Sequence, residues 1–193
     1  MARDRASRPE AKPLRLFVTI EVPMEVRRLV AEKVAPWRER YPRAKWVPES
    51  NQHVTMRFLG STWPRLLEWV RGAVGEAAGG AAAFESRVDG LGAFPSVKRA
   101  RVLWAGVEEP GGQLTALAER LDSALAKEFE PETRAYSAHL TVARFEPPTQ
   151  LEGLQEARFA SEPFLVDRLI LFRSHLRRPA PIYEPLGEFL LSG

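Results

Sequence analysis

Residues 14 to 22, "LRLFVTIEV", are almost continuously apolar, the pattern of a buried strand. Pro23 then opens a stretch in which Val26, Leu29, Val30, Val34 and Trp37 recur at helical spacing, which predicts a helix with one face on the core. Pro42 and Pro48 bracket a short extended piece holding Trp46 and Val47, and "HVTMRFLG" reads as a second strand closed by Gly60. A helix is expected over residues 64 to 78. "AFESRVDGLGAF" and "ARVLWAGVE" read as strands parted by the turn-rich "FPSVKR". Leu114, Leu117, Leu121, Leu125 and Phe129 predict a strong helix over residues 112 to 129. "HLTVARF" follows as a strand, then a short helix around residues 149 to 158. "FLVDRLILFRS" and "IYEPLGEFLL" close the chain as two more strands.

The expected order is β-α-β-α-β-β-α-β-α-β-β. Mixed elements with hairpin-like neighbours argue for α+β rather than a doubly wound parallel sheet. The order is also roughly symmetric, as two similar lobes would make it. No linker rich in Gly, Ser or Pro parts the halves, so residues 13–193 are expected to form one bilobal unit.

Composition narrows the function classes. No apolar run is long enough to cross a bilayer, and the opening "MARDRASRPEAKP" is charged, so neither a membrane anchor nor a signal peptide is expected. Without cysteine there is no disulfide and no thiolate-bound metal, which fits a cytoplasmic protein. The net charge of +3 is mostly that of residues 1 to 13, where four basic groups outweigh two acidic ones. Residues 1–12 are expected to be a disordered tail. An anion site in the rest of the chain must therefore come from local clustering of charge.

Chemistry enters with a repeat. Two of the three histidines head the same tetrad, His-apolar-Thr-apolar: "HVTM" at His53 and "HLTV" at His139. With seven Thr in 193 residues and 45% apolar positions, a given histidine is followed by this pattern by chance at roughly 0.7%. Two such histidines in one short chain are a specific signal. On a strand, residues two apart share a face, so His53 and Thr55 point one way while Val54, Met56 and Phe58 face the core. His139 and Thr141 likewise lie opposite Leu140 and Val142. Two imidazole–hydroxyl pairs across a cleft supply a base, an acid and two neutral donors. In-line displacement at a phosphodiester needs that set. Histidine suits both proton-transfer roles because its ordinary pKa is about 6.5. The pair lacks the accompanying ligands of a zinc site, and no cofactor or metal is expected.

Other residues follow by parity. Arg57 matches His53 and Thr55 and is expected to face the cleft and hold phosphate. Arg144 has the wrong parity and reaches the cleft only if its strand ends or bulges first. Trp46, Phe94 and Tyr136 are candidates for stacking on bases, the alternative for each being packing in the core or between the lobes. His175, with Arg177 two residues on, is expected to be a surface histidine.

The tetrads resemble those of the two-histidine (2H) phosphoesterase superfamily. The blocks "RLFVTIEVP", "KWVPESNQHVTMRFLG", "GLGAFPSVKRARVLWAGVE", "HLTVAR" and "LILFRSHLRRPAPIYEPL" are similar to RNA 2′,3′-cyclic phosphodiesterases of LigT/ThpR type. Ser137 and Ala138 depart from the Arg-Pro or similar pair expected before the second histidine. The resemblance implies a bilobal, pseudo-symmetric α+β fold, with antiparallel strands of both lobes lining a central cleft and helices outside. It implies hydrolysis of RNA 3′ ends carrying a 2′,3′-cyclic phosphate, tRNA fragments among them, to 2′-phosphomonoesters. It makes His53 the general acid, His139 the general base, and Thr55 and Thr141 the phosphoryl holders. A monomer is expected. The alternatives are the reverse chemistry, 2′–5′ ligation of RNA ends, and a non-catalytic RNA-end binding module.

Overall fold

A computed structural model describes residues 12–108 and 110–192. The expectation for the tail therefore lies outside the described residues, Lys12 excepted. The first half runs β1 (Leu14–Ile20), α1 (Met24–Lys33), α2 (Ala35–Arg40), β2 (Lys45–Trp46), β3 (Val54–Thr62) and α3 (Leu67–Gly79). Then come β4 (Phe84–Ser86), β5 (Val88–Phe94), β6 (Ala100–Val107) and α4 (Gln113–Leu125). The chain closes with β7 (His139–Thr149), β8 (Phe164–Val166), β9 (Arg168–His175) and β10 (Ile182–Leu190).

One antiparallel sheet carries the strands in the order β10-β9-β1-β3-β7-β6-β5, with β2 added beside β7. Its two halves, β10-β9-β1-β3 and β7-β6-β5, are the two expected lobes. They are joined through one register pair, Val54 opposite Leu140, both fully buried. The α+β, two-lobed reading is thus the observed fold.

Helices cover one face. The apolar stripe of α3 (Val70, Ala73, Val74, Ala77) packs on that of α4 (Leu114, Leu117, Leu121, Leu125). Together they back the first lobe, α3 against β9 and β10, and α4 against β3. The α2 end reaches the other lobe: the Trp37 indole donates to the Glu152 carbonyl at 3.1 Å, and Tyr41 sets its edge on Phe145, ring centres 5.8 Å apart. Each half of the chain therefore buttresses the tetrad strand of the other. No helix of the described residues is long and apolar enough to cross a membrane.

Three expectations are corrected. The helix predicted after Pro23 is two, because the chain turns at Val34 ahead of Pro36. The helix around residues 149 to 158 shrinks to one 3₁₀ turn, Leu154–Glu156, since Gly153 takes a left-handed conformation (φ 73°) that starts a new turn. The predicted strands "AFESRVDGLGAF" and "FLVDRLILFRS" are each split, and their first parts pair as a separate β4–β8 ribbon.

Because Leu140 is fully buried at the one register pair between β3 and β7, Leu140→Ala is expected to cost about 2–5 kcal/mol. Urea unfolding at equilibrium measures it.

Candidate active site

The join between the lobes is also where the tetrads meet. Val54 follows His53, and Leu140 follows His139. An antiparallel register through this pair sets His53 level with Thr141 and Thr55 level with His139. The two His-x-Thr pairs thus cross about a local two-fold axis, on the face away from the helices.

Both imidazoles are enclosed by aromatic rings. His53 lies 5.1 Å from the Phe17 ring and 5.3 Å from the Tyr183 ring. His139 lies 5.1 Å from Phe94, edge to face, and 6.4 Å from Trp104. Burial pushes the His53 pKa down to about 4, with the charges of Arg27 and His139 adding to the effect and a hydrogen bond to the Asn51 backbone opposing it. Burial also lowers His139, aided by the Arg144 charge and opposed by a hydrogen bond to Ser137. In that bond Nδ1 lies 2.7 Å from the Ser137 carbonyl. A carbonyl only accepts, so Nδ1 carries the proton and Nε2 of the neutral ring keeps its lone pair.

Bulges decide which arginine enters the cleft. In the β1–β3 ladder Val18 pairs with Arg57 and Thr19 with Thr55, leaving Met56 without a partner. Such a bulge reverses the facing of the residues that follow it, here Arg57 and Phe58, up to the next irregularity at Leu59. Arg57 therefore turns to the helix side, contrary to the parity reading. It is 5% exposed and ion-paired to Asp122 of α4 at 2.8 Å and to Glu132 at 2.6 Å. It also donates to the Glu130 carbonyl. Phe58, expected in the core, is turned outward by the same bulge and is 61% exposed. In the β6–β7 ladder Leu103 pairs with Ala143 and Trp104 with Thr141, so Val142 is the extra residue. This second bulge brings Arg144 round to the face of His139 and Thr141. Its charge there acts on both His139 and Tyr183.

The aromatic candidates separate. Phe94 lies in the cleft, against His139 and 5.1 Å from Trp104. Trp46 is corrected: it sits opposite Ala143 on the helix side, donates to the Tyr41 carbonyl at 3.1 Å and packs on Phe145. Tyr136 is corrected as well. Its ring packs on the core, and its hydroxyl reaches the Thr55 carbonyl at 3.3 Å and the Met56 sulfur at 3.1 Å, at the bulge itself. With Arg57 it fastens the segment leading to His139 onto β3. His175 pairs with Glu184 at 2.7 Å, away from the cleft.

Sequence reasoning missed Phe17, Thr19, Trp104 and Tyr183. Trp104 had a signal in its partner Gly92, where a Cβ would stand 2.1 Å from the indole, so only glycine leaves it room.

Two outcomes are expected. Arg57→Met strands the Asp122 and Glu132 carboxylates and lowers stability by about 2 kcal/mol in urea titrations. The second concerns pH. Both histidines have folded pKa values below their unfolded value of 6.5, so below that pH the unfolded chain binds protons the folded one does not. Their contribution to stability is full above about 6.5 and is lost as pH falls toward about 4. The urea midpoint should drop across that window, and less so in His53→Gln.

Comparison with known proteins gives the same family as the tetrads. The profile of the 2′-5′ RNA ligase superfamily matches residues 26–178. The chain is similar to a protein of Aquifex aeolicus named RNA 2′,3′-cyclic phosphodiesterase, 32% identical over 85% of this chain and 90% of that one. A Geobacillus stearothermophilus protein of the same name is 27% identical over 92% of this chain, which spans only 57% of that relative's length. The solved structure of a Thermus thermophilus protein superposes with a TM-score of 0.76 at 29% identity, covering 93% of this chain and 98% of that one. With the two crossed tetrads and the two-lobed sheet, these matches establish that the chain belongs to the 2′-5′ RNA ligase superfamily.

Proposed function

We propose that this chain hydrolyses the 2′,3′-cyclic phosphate at RNA 3′ ends to a 2′-phosphomonoester, with His139 as general base, His53 as general acid and no metal ion. Residues 13–193 act as one catalytic domain on cytoplasmic RNA ends, tRNA fragments among them. The observation that carries this reading is the crossing of the two His-x-Thr pairs at Val54 and Leu140. It supports an acid and a base on opposite sides of one phosphorus atom, the arrangement in-line displacement requires.

Water attacks phosphorus and gives its proton to Nε2 of His139, the nitrogen left free by the Ser137 hydrogen bond. The bond to the 3′ oxygen breaks, and His53 protonates that oxygen as it leaves. Thr55 and Thr141 donate to the non-bridging oxygens as their charge grows. Arg144, exposed on the same face, adds a cation for those oxygens. Phe94, Trp104 and the exposed Phe58 ring are surfaces on which bases stack.

The low proton affinity of His53 shapes the cycle. Without substrate its ring is neutral near pH 7. A phosphate anion between the two rings favours imidazolium and supplies the acid only once substrate is bound. The profile of kcat/KM reports the free protein and that of kcat the complex. Both are expected to be bell-shaped, with the kcat bell displaced to higher pH.

The decisive experiment is turnover, in EDTA, of a short RNA ending in a 2′,3′-cyclic phosphate. Formation of a 2′-phosphate by the wild type is expected, with His53→Ala and His139→Ala each slower by about 10²–10⁴-fold. Full activity in both variants, or activity lost in EDTA and restored by metal, defeats the reading. Because the matched superfamily is described by ligation, RNA with a 5′-hydroxyl belongs in the assay as a competing acceptor. A 2′–5′ joined product exceeding hydrolysis would make ligation the main reaction.

A further inference from the structure

Two arginines are buried near the tetrads, and their partners differ sharply. Arg57 has two carboxylates within 2.8 Å. Arg27, on α1, is 8% exposed and has none so close. Its Nη1 donates to the Glu49 carbonyl at 3.1 Å. The Glu21 carboxylate stands 3.8 Å from Nη2, and that side chain is 64% exposed to solvent. Nε, buried, has no acceptor among the described residues. A guanidinium taken out of water needs a close anion or a full set of acceptors. Arg27 has one long ion pair to a solvent-facing carboxylate and one carbonyl.

Arg27 lines a cavity of about 320 Å³ that also takes in His53 and Tyr183. That volume is at the small end for ligand pockets. Another wall is the buried Thr19 (0% exposed), whose hydroxyl has no partner among the described residues and can donate; Gln52 and, at the solvent side, the Glu21 carboxylate complete the polar lining. Ile170 and Phe172 supply an apolar side. Asn51 donates to the Pro181 carbonyl at 2.8 Å, tying the approach to β10 to the segment just before His53. A cation with a free N–H, joined by hydroxyls able to donate, suits an anion with several oxygens. Phosphate is the anion a nucleic acid brings.

We propose that this cavity takes the phosphate on the 5′ side of the terminal nucleotide, with Arg27 as its cationic partner. The inference rests on the catalytic reading of His53 and His139. In that reading His53 faces the 3′ oxygen of the terminal ribose. The ribose carries the cyclic phosphate on O2′ and O3′ and the preceding phosphate on O5′, two bonds beyond C4′. A cation next to the histidine that faces O3′ therefore stands where the strand continues. A nucleoside 2′,3′-cyclic phosphate leaves the cavity without its anion, and one bearing a 5′-phosphate fills it.

The test compares kcat/KM for these two substrates, each as the nucleoside cyclic phosphate with and without a 5′-phosphate. A charge-assisted hydrogen bond is expected to favour the 5′-phosphorylated substrate by about 10–100-fold in the wild type. That ratio should fall toward one in Arg27→Met, mainly through KM, because the contact is present before and during reaction. Thr19→Val is nearly isosteric and should lower the ratio severalfold, which keeps the test decisive if Arg27→Met does not fold. A wild-type ratio of one, or a ratio unchanged in Thr19→Val and in any folded Arg27→Met, overturns the proposal. Inorganic phosphate distinguishes the two sources of this anion. If added phosphate alters turnover of the unphosphorylated substrate while the 5′-phosphate brings no advantage, the cavity serves free phosphate and the substrate reading is overturned. Turnover of neither substrate by the wild type defeats the catalytic reading itself, and this one with it. Equal turnover of both defeats this one alone.

Discussion

The contact between Val54 and Leu140 is the one on which the site depends. It is the sole register pair between β3 and β7, and it lies one residue beyond each tetrad histidine. Any shift of one strand against the other by a residue would exchange core and cleft faces and part the two histidines. The helices guard that register from behind. α4 leads toward the second tetrad yet packs on β3, and α2 leads toward the first yet is fastened to the segment after β7. Separation of the lobes would therefore break helix packing as well as a strand pair.

Charge in and around the cleft is sorted by backbone irregularity rather than by sequence parity. The bulge at Met56 carries Arg57 out to Asp122 and Glu132, and the bulge at Val142 carries Arg144 in toward His139. Arg57 then has a structural task. With Tyr136 it holds the segment that delivers His139 onto the strand that follows His53. Arg27 remains as the buried cation whose nearest carboxylate, Glu21, faces solvent.

The two histidines share an environment that disfavours charge. Phe17 and Tyr183 enclose one ring, and Phe94 and Trp104 enclose the other. Desolvation lowers both pKa values and keeps the rings neutral at rest. On the proposed reading the substrate's own negative charge supplies what the apolar walls withhold. Binding and activation of the acid are then one event, and the aromatic surroundings both stack on the ligand and tune the imidazoles.

Local pattern determined much of this protein. The buried first strand, the leucine stripe of α4, the α+β order and the repeated tetrad were all legible, because burial and strand alternation are properties of neighbouring residues. The same alternation rule misassigned Arg57 and Phe58, since a bulge depends on how a strand meets its partners and leaves no mark in its own spacing. Trp46 and Tyr136 were misplaced for a related reason: an aromatic residue reads alike whether it faces a cleft or seals a core. The meeting of the two tetrads, the aromatic cages and the cavity beside Arg27 arose from contacts between residues far apart in the chain. Sequence alone determined which groups were available for the chemistry. Tertiary structure decided which of them share a face, because facing is set by pairing across strands and not along them.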